Sequence, residues 1–420
     1  MTGGQSKSYR WWVILMLFGG TFVNAIDRGS LGVAAPSIMK ELHLNPAMMG
    51  VVLSSFFWTY FAMNIPSGAL ADRFGAKTTL GWAAFVWSFL SALTGAAHSF
   101  FQLVLCRIGV GAGEAAIQPC NVKVVKSVFP TQERGTAIGI FNAGIRLGLA
   151  AVPVLMAYLI HSWNWRVAFY VTGAGSLLWV GLWVYSYHQP EANPNVESAS
   201  KQRVPWLLLL QHRSIIGLMM CKFFQEYLYN MFITWLPAYL VLERGFTVLK
   251  MGWYASLPWI VTFCALPLVG LLSDTLIKRG MSVTRSRKGM IIAGQFTAAL
   301  VVFAPSAASA QAAMVLLVVA LVCESGASTV LWAACAEIAP ANTSASVSGI
   351  MNTAGALAGI VSPIVTGVLL KWTGNFQRAF SVASLMIVFA ALSMWFVVGN
   401  VEQIELAQQS ALSIQHSAKA

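Results

Sequence analysis

Apolar stretches of about twenty residues recur along this chain from one end to the other. Few folds tolerate that pattern. In hydrocarbon every backbone N–H and C=O must find its partner inside the protein, so only helices and closed β-barrels can cross a bilayer. A barrel needs segments of roughly ten residues with alternating hydrophobicity. The runs here are continuous, and each reaches the ~20 residues that a helix needs to span the hydrocarbon core. Twelve can be counted, near 11–34, 47–70, 78–98, 100–123, 135–160, 166–187, 214–240, 250–274, 289–307, 311–337, 344–370 and 377–399. The chain is 57% hydrophobic and 10% charged, whereas a soluble domain carries about a quarter charged residues. The expectation is an all-α polytopic membrane protein with twelve transmembrane helices. The first run is too long for a signal peptide and lacks a small-residue cleavage site, so it reads as a retained span.

A formal charge of +12 invites a nucleic-acid reading, but its distribution opposes one. Sixteen of the 26 lysines and arginines fall on the termini and even-numbered connections, six on odd-numbered connections, and four, Arg28, Arg107, Arg146 and Lys222, within spans. The positive-inside rule then puts both termini in the cytoplasm. The six cysteines lie scattered in apolar runs without CxxC spacing and read as small buried hydrophobes. No P-loop, metal cluster or nucleophile–base constellation is present, so neither an enzyme nor a bound cofactor or metal is expected. GVGAG (Gly109–Gly113) lies inside a membrane run and is no phosphate loop. The sequon Asn342-Thr343-Ser344 falls on the cytoplasmic side of this topology and is discounted.

The polar segment His188–Pro205 is rich in Pro, Ser and Asn and reads as a linker. Around it the chain divides into a six-helix bundle over 1–187, a cytoplasmic linker over 188–213, a second six-helix bundle over 214–400 and a cytoplasmic tail over 401–420. The halves echo one another. GIFN (Gly139–Asn142) matches GIMN (Gly349–Asn352), with Pro153 and Pro363 eleven residues beyond each Asn. NWRVAFYV (Asn164–Val171) matches NFQRAFSV (Asn375–Val382), and GALAD (Gly68–Asp72) matches GLLSD (Gly270–Asp274). Duplicated six-helix halves related by an axis along the membrane normal are a recurring transporter architecture.

The loop G-x-L-A-D-R-x-G-x-K, with Gly68, Asp72, Arg73, Gly75 and Lys77, resembles the signature of the major facilitator superfamily. IDR in the first span, CRIGVGAGEAAIQP (Cys106–Pro119), ERGTAIGIFNAG (Glu133–Gly144) and ITWLPAYLVLERGF (Ile233–Phe246) resemble its anion:cation symporter family. That family includes bacterial proton-coupled carriers of sugar acids and is related to vertebrate organic-anion and sialic acid carriers. The resemblance implies a proton symporter of an organic anion, a sugar acid or related mono- or dicarboxylate, working as a monomer in a bacterial inner membrane with protons as coupling ion. Exchange or export by the same fold is the alternative, and a non-transporting sensor a more remote one.

Ionisable groups in mid-membrane are costly and default to function. Here they are Asp27, Arg28, Arg107, Glu114, Arg146, Lys222, Glu226 and Glu324. Arg107 and Glu114 are seven residues apart, about 10 Å along one helix face, too far to pair with each other. Asp27 and Arg28 offer complementary charges. A guanidinium holds a carboxylate bidentately, and a buried carboxyl can exchange a proton. The resemblance implies Asp27 and Glu114 as proton-coupling acids and Arg28 and Arg107 as the basic groups around the substrate carboxylate. It implies Tyr60 as a substrate hydrogen-bonding group, and Ser328, Thr329, Trp332 and Asn352 as contacts to substrate hydroxyls. Arg146 departs from the pattern: it either binds a second anionic group or partners an acid such as Glu114 or Glu324. Lys222 and Glu226, spaced i,i+4, read as a local ion pair. The Gly68–Lys77 loop, with Glu133 and Arg134, reads as a gate whose ion pairs break and form during alternating access.

Overall fold

A computed structural model describes residues 7–129, 133–188, 206–340 and 344–404, and among these the chain is helical without strands. The helices are α1 (Lys7–Glu41), α2 (Pro46–Phe74), α3 (Ala76–Thr94), α4 (Phe100–Glu114), α5 (Ile117–Val128), α6 (Arg134–Ser162), α7 (Trp165–Ser186), α8 (Trp206–Gln211), α9 (Arg213–Leu242), α10 (Val248–Lys278), α11 (Val283–Ala298), α12 (Ala310–Ile338), α13 (Ser344–Thr373) and α14 (Gln377–Leu392). Most of the 188–213 linker, residues 189–205, lies outside the described residues, as do the sequon's Asn342 and Thr343 and the tail beyond 404. The linker's last part forms the short α8. Nine of the described helical segments are long and apolar enough to cross a membrane, α4 and α5 forming one of them; α3, α9 and α11 complete the twelve spans.

Side chains visible in the sequence start many of these helices. Asn45, Ser99, Asn164, Thr247, Ser282 and Ser309 each accept a bond from the backbone N–H three residues on, satisfying one of the amides that a helix start leaves unpaired. Gly75, at φ 84° between α2 and α3, makes a turn that a side chain would strain. The fourth span, expected to be continuous, is broken between Glu114 and Ile117. The cause is Pro119, which has no N–H to give the Ala115 carbonyl. The Ser67 hydroxyl donates to that carbonyl instead, at 3.0 Å.

The duplication read from the sequence appears as paired contacts between the halves. In α10, a Cβ on Gly252 would stand 2.8 Å from the Pro153 carbonyl of α6; in α2, a Cβ on Gly50 would stand 2.5 Å from the Pro363 carbonyl of α13. Gly50 and Gly252 are equivalent positions in the two halves, and so are Pro153 and Pro363. The third contact lies near the axis, where Gly32 of α1 packs against the Ile233 and Thr234 carbonyls of α9. Helices come this close only where Cβ is absent, and small residues serve that purpose in membrane bundles. The same equivalence joins Glu41, which accepts from the Trp165 indole at 2.5 Å, to Glu243, which accepts from the Phe376 amide at 2.5 Å.

All three contacts lie in the parts of these helices nearest the α1–α2, α6–α7 and α9–α10 connections. At the other end, which carries the basic loops, no ion pair crosses between the halves among the described residues. There α2 beyond Tyr60 and α10 beyond Thr262 are largely exposed. The two bundles therefore close at one end and splay at the basic end, with Arg28 and Glu226 partly exposed and Asp27, Arg107, Glu114, Lys222 and Glu324 buried.

Candidate functional site

Asp27 and Arg28 are neighbours in α1, and neighbouring residues on a helix face about 100° apart. The structure sends them in different directions. Asp27 is fully buried toward the rear of its bundle, where its two oxygens accept from Ser91 of α3 at 2.8 Å and Ser176 of α7 at 2.7 Å. Arg28 turns toward α4, where its Nε and Nη2 donate to a single oxygen of Glu114 at 3.2 and 3.1 Å. The other Glu114 oxygen, Oε1, is buried without a hydrogen-bond partner, as is the Asn24 amide nitrogen. Glu114 is the last residue of α4, so the break that Pro119 imposes falls directly behind this carboxylate.

Phe56 of α2 lies between two guanidiniums: Arg28 is 5.1 Å from its ring centre and Arg107 4.8 Å. Arg28 also lies 4.9 Å from the centre of the Tyr60 ring, which stacks on Phe56. Arg107 is 4% exposed, has no acid within ion-pair distance among the described residues, and leaves its Nε unbonded. An aromatic face offsets part of a cation's desolvation, but a buried guanidinium without an acceptor is suited to an anion that arrives. The four expected charges lie within electrostatic range of one another: Arg28 and Glu114 are in contact, Arg107 has no acid within 4.0 Å among the described residues, and Asp27 is hydrogen-bonded to two serines. Gly111 and Gly113 of α4 pack against α2 and α3, Gly111 against the Phe56 carbonyl and Gly113 against that of Ala83. Their closeness serves helix packing.

Across the interface α9 presents a second group of charges. Lys222 and Glu226 form the ion pair their spacing announced. The Lys222 ammonium also donates to the Ser328 hydroxyl of α12 at 3.3 Å and stands 5.1 Å from the Trp332 ring centre. Ser328 and Trp332 therefore gather around this lysine. The Thr329 hydroxyl is turned back on the Ser325 carbonyl at 3.0 Å, and Asn352 on α13 is exposed. Glu324, 1% exposed, accepts from Ser325 at 2.9 Å and keeps its Oε1 unbonded. Arg146 reaches from α6 to Tyr229 of α9, donating to its hydroxyl at 3.4 Å with the ring centre 5.6 Å away. No acid pairs with Arg146 within 4.0 Å among the described residues, neither Glu114 nor Glu324.

The loop residues meet partners inside the first half. Asp72 accepts from Lys123 at 2.8 Å, Arg10 pairs with Glu133 at 3.2 Å, and Arg134 donates to the Phe129 and Lys126 carbonyls. Arg73 lies over Phe74, and the Lys77 carbonyl accepts from Trp183. The equivalent aspartate of the second half, Asp274, is held with Glu337 by Arg287.

Ser91, Ser176 and Tyr229 were not singled out by sequence reasoning. A serine in an apolar helix has no signature of its own. The only trace of the Asp27 housing is the helical spacing of buried Ser88, Ser91 and Thr94 in α3 and of Thr172 and Ser176 in α7.

Among related proteins, this chain is 33% identical to the probable galactarate/D-glucarate transporter GudP of Bacillus subtilis (strain 168), covering 97% of this chain and 95% of that one. It is 30% identical to the D-galactonate transporter of Escherichia coli O6:H1, covering 94% of this chain and 97% of that one. Among solved structures it superposes on a bacterial homologue of the human lysosomal transporter Spinster, in an inward-facing and occupied conformation, with a TM-score of 0.80 at 19% identity, covering 94% of this chain and 97% of that one. It superposes on the D-xylose–proton symporter with a TM-score of 0.78 at 17% identity, covering 94% and 99%. The family model of the Major Facilitator Superfamily matches residues 17–363. The chain belongs to the Major Facilitator Superfamily, and is a membrane transporter rather than an enzyme.

Proposed function

We propose that this protein is a symporter that carries a sugar acid into a bacterial cell across the inner membrane, together with protons and as a monomer, with both termini in the cytoplasm. The single observation behind this reading is the Arg28–Glu114 ion pair, in which one guanidinium serves one oxygen of a buried carboxylate beside a second guanidinium without an acid. A substrate carboxylate drawn to Arg28, with Tyr60 beneath it and Arg107 behind, competes with Glu114 for the same donor. Losing one partner of a buried pair costs about 3–5 kcal/mol while the other stays charged. A proton on Glu114 removes that cost. Carboxylate and proton therefore bind together more readily than either alone, which is the requirement for symport. Asp27, held apart by two hydroxyls, is the second acid of the coupling. With two protons per monoanion, net positive charge moves inward and gains about 2.3 kcal/mol per charge for each 100 mV.

The names of the relatives support the substrate class: galactarate, D-glucarate and D-galactonate are all sugar acids. Arg146, Ser328, Thr329, Trp332 and Asn352 complete the proposed cavity wall. Gly68, Asp72, Arg73, Gly75, Lys77, Glu133 and Arg134 form the gate that reorganises when the basic end closes.

Proteoliposome uptake of D-galactonate and galactarate under an imposed pH gradient tests this. Uptake should follow the gradient in the native protein, and Asp27→Asn and Glu114→Gln should abolish concentration against it while leaving exchange across equal pH. Gradient-independent uptake, unaltered in both variants, refutes symport and leaves exchange as the reading.

A further inference from the structure

The second group of charges also pairs a cation with an acid beside an aromatic ring, but with the burial reversed: Arg28 is the more open partner of buried Glu114, whereas here the acid is the more open partner. Lys222 is buried, and its resident acid, Glu226, extends into more open space, with a side chain 17% exposed against 5% for the lysine. Ser328 and the face of Trp332 complete the surroundings of the ammonium. Gly355 of α13 makes room for both side chains: a Cβ there would stand 3.1 Å from Glu226 Cγ and 3.3 Å from Lys222 Cε. Glu324 contributes a buried oxygen with no partner. From the opposite wall Arg146 reaches Tyr229, one turn along α9 from Glu226. A cation held by a displaceable carboxylate, with a hydroxyl and an aromatic face beside it, is more than a local pair needs for helix stability.

We infer that Lys222 is a second carboxylate subsite for which Glu226 stands in while the cavity is empty, so that the far carboxylate of a dicarboxylic sugar acid is taken by displacing Glu226 and is accompanied by its own proton. This rests on the sugar-acid reading above and deepens it. The proton follows from charge balance. Lys222 and Glu226 form a neutral pair, with Glu324 within electrostatic range of it and of Arg146. The other ionisable groups at this level are Tyr229, within electrostatic range of Arg28, Arg146, Glu226 and Glu324, and the thiols of Cys221 on α9 and Cys335 on α12, within range of Lys222; α13 contributes none. An added carboxylate on Lys222 leaves one negative charge in excess, and a proton on the displaced Glu226 restores neutrality. A monocarboxylic sugar acid presents a hydroxyl at that end and leaves the pair closed.

The test is binding of galactarate against D-galactonate to the purified full chain, followed by tryptophan fluorescence across a pH series, with Trp332 as local reporter. In the native protein galactarate affinity should fall more steeply with rising pH than that of galactonate. Lys222→Gln should weaken galactarate about tenfold or more, which is about 1.4 kcal/mol, and leave galactonate within about twofold. Glu226→Gln should have the opposite sign, tightening galactarate and flattening its pH dependence, because the resident competitor is gone. Equal losses for both acids in Lys222→Gln, or galactarate weakened by Glu226→Gln, overturn the inference. Should either charge variant fail to fold, Gly355→Ala decides, since the atoms nearest its Cβ would be those of Glu226 and Lys222: an effect confined to galactarate supports the subsite, and equal or no effects oppose it. Native protein that binds neither acid refutes the broader sugar-acid reading instead.

Discussion

The closed end of the molecule offers a perturbation whose sign can be worked out beforehand. Gly50 and Gly252 touch the opposite half only through carbonyls and small side chains. A Cβ at Gly50 would stand 2.5 Å from the Pro363 oxygen, and one at Gly252 would stand 2.5 Å from Ala157 Cβ and 2.8 Å from the Pro153 oxygen. Backbone oxygens cannot rotate away, so valine at either position forces the halves apart at that end. Overpacking of this kind costs about 1–3 kcal/mol. The cost falls on the conformation seen here and spares one in which the halves have separated at this end. Each substitution should then shift the population toward the state closed at the basic end by about 5- to 150-fold. A reporter cysteine replacing Asn352, which is exposed in this conformation, in a background where Cys264 is serine, would be labelled by an impermeant maleimide applied to the basic face. Gly50→Val and Gly252→Val should each slow labelling, by no more than the factor by which the equilibrium shifts, and the two together by more. Gly181→Val, where a Cβ meets nothing within 4 Å, is the control. Unchanged labelling in both variants, or equal slowing in the control, refutes the reasoning that these glycines set the closure.

Two further outcomes follow from single contacts. Arg146→Ala should diminish thermal stabilisation by galactarate more than by D-galactonate, since this guanidinium has no acid within 4.0 Å among the described residues, its hydrogen bond going to Tyr229, and can add to the attraction for a second carboxylate near Lys222; equal losses in a thermal-shift assay remove that role. Ser67→Ala leaves the Ala115 carbonyl without a donor at the helix break and should lower stability by about 1–3 kcal/mol, read as a fall in the thermal unfolding midpoint; Pro119→Ala should restore most of it by supplying the missing N–H.

Much of this architecture is legible in the sequence because it depends on local chemistry. Apolar runs become helices, Asn and Ser at their starts become caps, and the i,i+4 spacing of Lys222 and Glu226 becomes an ion pair. The repeats predict more than topology: matched Pro153 and Pro363 sit at matched interfaces, against Gly252 and Gly50. What escaped depends on partners far apart in sequence. Pro119 is visible as a helix breaker, but the hydroxyl that compensates for it is that of Ser67, 48 residues before the Ala115 carbonyl it serves. Asp27 and Arg28 look like a neutralised pair because they are adjacent, yet adjacency on a helix separates their directions, and only packing reveals Ser91 and Ser176. Which end is closed is also absent from the sequence, since the same residues must serve both ends in turn.

The two charged groups are related by function more than by sequence. The matched halves place Asn230 opposite Arg28 and Glu324, not Glu226, opposite Glu114, yet each half binds a cation to an acid beside an aromatic ring: Arg28 with Glu114 and Tyr60, Lys222 with Glu226 and Trp332. A fixed cation alone would hold a carboxylate too well to release it, and a fixed acid alone would repel it. Under the proposed symport, pairing them makes occupancy by the carboxylate conditional on a proton for the acid it displaces. Because the substrate must satisfy both pairs to be held at both ends, a dicarboxylate would engage the two halves at once and a monocarboxylate mainly the first. That difference predicts more than affinity. A ligand tied to both walls should stabilise the approach of α2 toward α13 and α6 toward α10 at the open end, so galactarate should slow maleimide labelling at position 352 more than a saturating amount of D-galactonate does. Lys222→Gln should erase the difference without altering the effect of galactonate. If the two acids protect position 352 equally in the native protein, the second pair takes no part in closing the cavity.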